Sequence, residues 1–157
     1  MKIAIGADRL AIGLKDAVIE HLKEQGHEVM DLGMKTPENN VDYIDAACNV
    51  AKAVSGKEAD RGIIICGSGV GVSIVANKYK GISAARVESV WSAQNCREIN
   101  NANVITFGGL MLAPRMACDI VDTFLKTEFA PGATPERKAM LQGFLDKIAG
   151  LEDELLK

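Results

Sequence analysis

At 157 residues, 48% hydrophobic and 25% charged, the chain holds enough apolar material for one core and is too short for two full domains. A net charge of −3 leaves no basic excess to neutralise a phosphodiester backbone, which argues against nucleic-acid binding. No apolar run approaches the roughly 20 residues that cross a bilayer, and Met1-Lys2-Ile3 leads directly into strand-like sequence, so the expectation is a cytoplasmic protein with no membrane partner.

Short β-branched runs alternate with longer amphipathic stretches. Strands are expected at residues 2–6, 27–32, 62–66, 82–86 and 103–107, and helices at 13–25, 43–55, 71–79, 90–100 and 114–126. Each helical stretch is long enough for a crossover, and Ile63-Ile64-Ile65 is apolar on both faces, as a covered parallel strand must be. The expected fold is therefore α/β: a three-layer Rossmann-like domain with a five-stranded parallel sheet, spanning residues 1–157. Pro131, Gly132 and Pro135 mark a connector beginning near residue 128, and residues 136–156 return to helical period as a C-terminal helix. Its stripe of Met140, Phe144, Ile148, Leu151 and Leu155 packs either on the chain's own core or on a second subunit.

Cys48, Cys66, Cys96 and Cys118 show no CxxC spacing and no neighbouring histidine, so reduced thiols are expected rather than a disulfide framework or a metal site. One of them stands apart. In parallel sheets ligands gather beyond the carboxyl ends of strands, and there the run Cys66-Gly67-Ser68-Gly69-Val70-Gly71-Val72-Ser73 joins a strand to a helix. The glycines let the backbone turn tightly and aim the N–H groups of Gly67, Gly69, Val70 and Gly71 at one bound oxygen. The run is neither a Walker A loop nor a dinucleotide fingerprint, which would need a glycine at Val72. A thiol beside a helix start is favoured as thiolate and can serve as a base, although a buried cysteine can equally be a small hydrophobe.

The opening Met1-Lys2-Ile3-Ala4-Ile5-Gly6-Ala7-Asp8, then Gly26-His27-Glu28-Val29 and Asp42-Tyr43, begin a resemblance that covers nearly the whole chain. It continues through residues 66–78, Gly81-Ile82, Ser92-Ala93-Gln94 and Asn100-Asn101-Ala102-Asn103-Val104. The chain resembles the ribose-5-phosphate isomerase B and galactose-6-phosphate isomerase family. That resemblance implies an aldose–ketose isomerase of a phosphorylated sugar, without a cofactor. It also implies a homodimer or homotetramer, or pairing with a paralogous subunit, with active sites between subunits. Cys66 falls on the family's proton-transferring cysteine and Ser68 would assist it; where some members carry a glutamate, this chain has Val72. Asp8 aligns with a residue that holds sugar hydroxyls, with capping of the first helix as its other reading. Tyr43 and Asn100 map to the substrate pocket, and Arg137 to a phosphate-binding arginine.

Departures from the family pattern narrow the substrate. Arg9 stands where the family usually has a histidine and can contact an anion bidentately; Leu110 and Ala133 stand where it has arginines. Ile99 stands at the position of the ring-opening histidine, and isoleucine moves no proton. An open-chain tetrose 4-phosphate needs no ring opening, because its fourth oxygen is esterified. Two other readings stay open: one subunit of a hetero-oligomeric isomerase, and a non-catalytic sugar-phosphate binding protein. Trp91 and Met111 either shape the pocket or pack in the core.

Overall fold

The strand Arg61–Cys66 explains the architecture: all but its first residue are buried, with Ile63 and Ile65 facing one helix layer and Ile64 and Cys66 the other. A strand covered on both faces lies in the middle of a parallel sheet. The computed structural model describes residues 1–36 and 38–156. In chain order the elements are β1 (Lys2–Ala7), α1 (Ile12–Glu24), β2 (Glu28–Asp31), α2 (Tyr43–Ser55), β3 (Arg61–Cys66), α3 (Val70–Ala76), β4 (Ala84–Arg86), α4 (Val90–Glu98), β5 (Val104–Gly108), α5 (Pro114–Lys126) and α6 (Pro135–Leu155). The five strands are parallel in the order β2-β1-β3-β5-β4, the α/β architecture that the alternation of patterns implies.

Val18, Leu22, Ile120 and Phe124 from α1 and α5 bury one face of the sheet, joined by Ala93 and Cys96 of α4. The other face meets Val50 and Val54 of α2 and Val72 and Ala76 of α3. Two helix starts follow from caps: the Asp42 side chain accepts from the N–H groups of Ile44 and Asp45 and opens α2, while Pro114 occupies the first turn of α5. The helix α3 stops sooner than its apolar period suggests. Asn77 turns away to pair with Ala84 through both its amide nitrogen and oxygen, at 2.9 Å each, which ties the chain to β4 instead of extending the helix.

Only Leu141 of α6 is buried. Met140, Phe144, Ile148, Leu151 and Leu155 are between 43% and 72% exposed, so the stripe does not pack on the chain's own core. The far end of α6 is tied down by the Glu152 carboxylate, which accepts from Gly81 N–H at 3.0 Å, and by a Lys80–Asp153 ion pair at 2.6 Å. Among the described residues no helix is long and apolar enough to cross a membrane.

Candidate active site

The order of strands reverses between β1 and β3, which opens a crevice beyond their carboxyl ends. Ala7 pairs in register with Ile65, so Asp8 and Cys66 follow directly on neighbouring strand positions. Asp8 is buried and does not cap α1, whose N-cap is Ala11 with no side-chain bond. Its Oδ1 instead accepts from Leu10 N–H at 3.0 Å and its carbonyl from Ala11 N–H at 3.1 Å, which folds the β1–α1 loop around the carboxylate.

Cys66 ends β3, buried, opposite Gly108. The Gly69 N–H donates to its Sγ at 3.1 Å, so this amide serves the thiol rather than an incoming oxygen. Gly69 holds φ at +77°, a conformation that glycine adopts freely and that lets the chain double back against Phe107 before α3 begins. The Val70 N–H donates weakly to Ser68 Oγ at 3.4 Å, leaving the Ser68 hydroxyl proton free for another partner. A Cβ on Gly67 would come within 3.1 Å of Leu10 and 3.4 Å of Leu110, so two leucines flank the loop like jaws.

Asp8, Arg9, Leu10, Met34, Asn40, Val41, Asp42 and Tyr43 line a cavity of about 300 Å³, which is at the small end for ligand pockets. The Tyr43 ring joins it to the Cys66 loop: a Cβ on Gly71 would sit 2.9 Å from the ring edge. The structure thus gathers Asp8, Arg9, Tyr43, Cys66, Gly67, Ser68, Gly69, Val70 and Gly71 at one end of the sheet. Asn100 and Arg137 are elsewhere. Asn100 precedes β5, whereas Cys66 pairs at its end, a separation of about 15 Å along the strand. It lines a groove with Gly81, Ile148 and Glu152. Arg137 is exposed in the first turn of α6. Trp91 is 71% exposed and takes no part in the core.

Two side chains that sequence reasoning did not single out hold the Cys66 loop. Arg86, at the end of β4, donates from Nε to Ser68 O at 2.9 Å, and Thr106, buried in β5, donates to Gly69 O at 2.9 Å. A cation ending a strand at the ligand edge of a parallel sheet was the available signal for Arg86; its partner, a backbone carbonyl, leaves no trace in sequence.

A small cavity holding a carboxylate, with a buried thiol and a glycine loop reached from it through the Tyr43 ring at the same switch point, is the layout of a small-molecule site. Residues 3–141 match the model of the Ribose/Galactose Isomerase family. The chain is 38% identical over 157 residues to the 4-deoxy-4-sulfo-D-erythrose isomerase of Clostridium sp. (strain MSTE9), covering 100% of this chain and 99% of that protein. It is 40% identical over 134 residues to the D-erythrulose-4-phosphate isomerase of Pectobacterium atrosepticum, covering 85% and 88%. Among solved structures, Clostridium thermocellum ribose-5-phosphate isomerase B superposes with a TM-score of 0.87 at 43% identity, over 98% of this chain and 99% of that one. The chain belongs to the Ribose/Galactose Isomerase family and is an aldose–ketose isomerase.

Proposed function

We propose that the chain interconverts an open-chain four-carbon aldose and its 2-ketose, each carrying an anionic group on C4, with Cys66 as the base. The Cys66 thiolate takes the proton from C2 of the aldose: the C–H bond breaks, an S–H bond forms, and the electron pair enters the C1–C2 bond to leave an enediolate charged on O1. The Ser68 hydroxyl carries the proton from O2 to O1. The thiol then returns its proton to C1, and the charge on O2 collapses to the ketone. N–H groups at the start of α3 face the developing charge. Asp8 holds sugar hydroxyls, Arg9 meets the C4 anion with its planar fork, and Tyr43 closes the cavity.

Ile99 is the observation that carries the substrate assignment. A sugar whose C4 bears a phosphate ester or a carbon–sulfur bond has no furanose ring to open, and so needs no proton donor there. The names of two relatives, both with four-carbon substrates, support the same size.

The working unit in this reading contains at least two copies of the chain. Asn100 is remote from the chain's own Cys66, Arg137 stands exposed on the first turn of α6, and the stripe of that helix is bare. A second copy docked there brings both residues to a neighbour's crevice.

The test is isomerisation by the pure protein of tetrose 4-phosphates and 4-deoxy-4-sulfotetroses against ribose 5-phosphate and galactose 6-phosphate, in deuterated water. Turnover of the four-carbon substrates with solvent deuterium entering the product, both reduced by about 10³ in Cys66→Ala, supports the proposal. Deuterium incorporation that survives in Cys66→Ala removes the thiol as base. Turnover confined to pentose or hexose phosphates overturns the substrate. Activity that appears only on adding a second family member replaces the homo-oligomer by a mixed one.

A further inference from the structure

The peptide group that joins Ser68 to Gly69 is held at both ends. Its carbonyl accepts from Arg86 Nε at 2.9 Å, and its N–H donates to Cys66 Sγ at 3.1 Å. Because a peptide unit is planar and rigid, fixing the oxygen on one side fixes the direction of the N–H on the other. The guanidinium is itself aimed: Nη2 pairs with the Glu88 carboxylate and lies 3.6 Å from Met111 Sδ. Thr106, the cross-strand partner of Arg86, holds the next carbonyl of the loop.

We propose that Arg86 is a positioning residue for Cys66, acting through the Ser68–Gly69 peptide. Two effects run along this short chain of bonds. Geometry is the first: without the guanidinium on its oxygen, the peptide is free to rotate and withdraw its N–H from the sulfur. Polarisation is the second. A cationic donor on the carbonyl draws electron density through the amide and strengthens the N–H as a donor. An N–H donor at sulfur steadies negative charge there, so losing Arg86 is expected to weaken the support that the Gly69 N–H gives the sulfur. Among the described residues Arg86 bonds Ser68 O, Glu88 and Met111 Sδ and not the sulfur, and the contact of Gly69 with Phe107 and the Thr106 bond keep the loop folded without it.

The inference rests on Cys66 being the base, and the test separates the two claims. Arg86→Met and Arg86→Lys are compared with the unaltered protein in kcat/KM against pH on a tetrose 4-phosphate. Cys66 thiolate is followed in parallel by ultraviolet absorbance as a difference against Cys66→Ala. Burial pushes the Cys96 thiol up to about 11, and burial with nearby Asp122, Asp119 and Glu24 pushes Cys118 up as well, so neither obscures the difference near neutral pH. In Arg86→Met the acid limb of kcat/KM and the thiolate signal are expected to move together toward higher pH by about one unit. That shift lowers turnover at neutral pH about tenfold, with KM and Tm near the original. Arg86→Lys restores part of the shift, because an ammonium reaches the carbonyl without the planar Nε geometry. Both profiles unmoved in Arg86→Met, or a loss uniform across pH that tracks a fall in Tm, overturns the proposal. A thiolate signal that moves while the turnover profile stays fixed keeps the Arg86–Cys66 link and overturns Cys66 as the base.

Discussion

Gly69 stands so close to Phe107 that a Cβ on it would lie 2.7 Å from the Phe107 Cα, and it does so with φ at +77°. Gly69→Ala therefore meets a backbone clash and a strained conformation at once. We expect a loss of about 2 kcal/mol or more, read as a lower urea midpoint, together with loss of isomerase activity. A variant as stable and active as the original would show that the loop rearranges freely.

Gly71 sets the opposite case. Alanine there suits the helix α3 and adds about 0.5–1 kcal/mol of local preference, but its Cβ would press within 2.9 Å of the Tyr43 ring. The expected result for Gly71→Ala is an unchanged or raised Tm with KM up several-fold, because the ring moves into the cavity. A fall in Tm with KM unaltered would contradict this division.

Ile99 is half-buried just beyond α4. It adjoins Asn100 and so meets a crevice only across the proposed contact between copies; there a proton donor in Ile99→His should confer turnover of ribose 5-phosphate while leaving the rate on tetrose 4-phosphates within a few-fold. Pentose activity that does not rise above background removes the missing ring-opening group as a reason for the proposed four-carbon substrate.

Asp122 links α5 to α1: its carboxylate meets His21 Nε2 at 2.7 Å, accepts from Gln25 at 2.9 and 3.0 Å, and pairs with Lys126 at 3.0 Å. Burial pushes this carboxyl up, but the hydrogen bonds from Gln25, His21 and Lys126 outweigh it and hold the group below its ordinary 3.8. A depressed carboxyl contributes stability above its unfolded value and loses it as the pH falls through the folded one. Asp122→Asn should then cost about 1 kcal/mol at pH 7, with the two stability curves converging below about pH 4. A gap between urea midpoints that stays constant down to pH 3 would exclude this origin.

Alternating β-branched and amphipathic runs made the layered sheet legible, and the amphipathic stretches 43–55 and 114–126 coincide with α2 and α5, whose starts the structure shows fixed by Asp42 and Pro114. The end of α3 was not, since Asn77 pairs with a backbone that sequence does not bring near. The Cys66 loop was readable because several unusual residues fall at one strand end. Asn100 and Arg137 were reachable only through resemblance, since nothing in their spacing points to a crevice at the other end of the sheet. The α6 stripe left two readings, and its exposure decides against packing on its own core.

The order of strands has a consequence for synthesis. β4 leaves the ribosome before β5 yet pairs only with it, because β5 lies between β3 and β4. Until residue 108 has emerged, the strand bearing Arg86 has no ladder to join, and Thr106 does not yet exist to hold the loop. The Cys66 turn is made early but braced late. A ribosome-bound chain cut short before β5 should hold β1, β2 and β3 in register with an unbraced loop, and gain the braced Cys66 turn in a single late docking step.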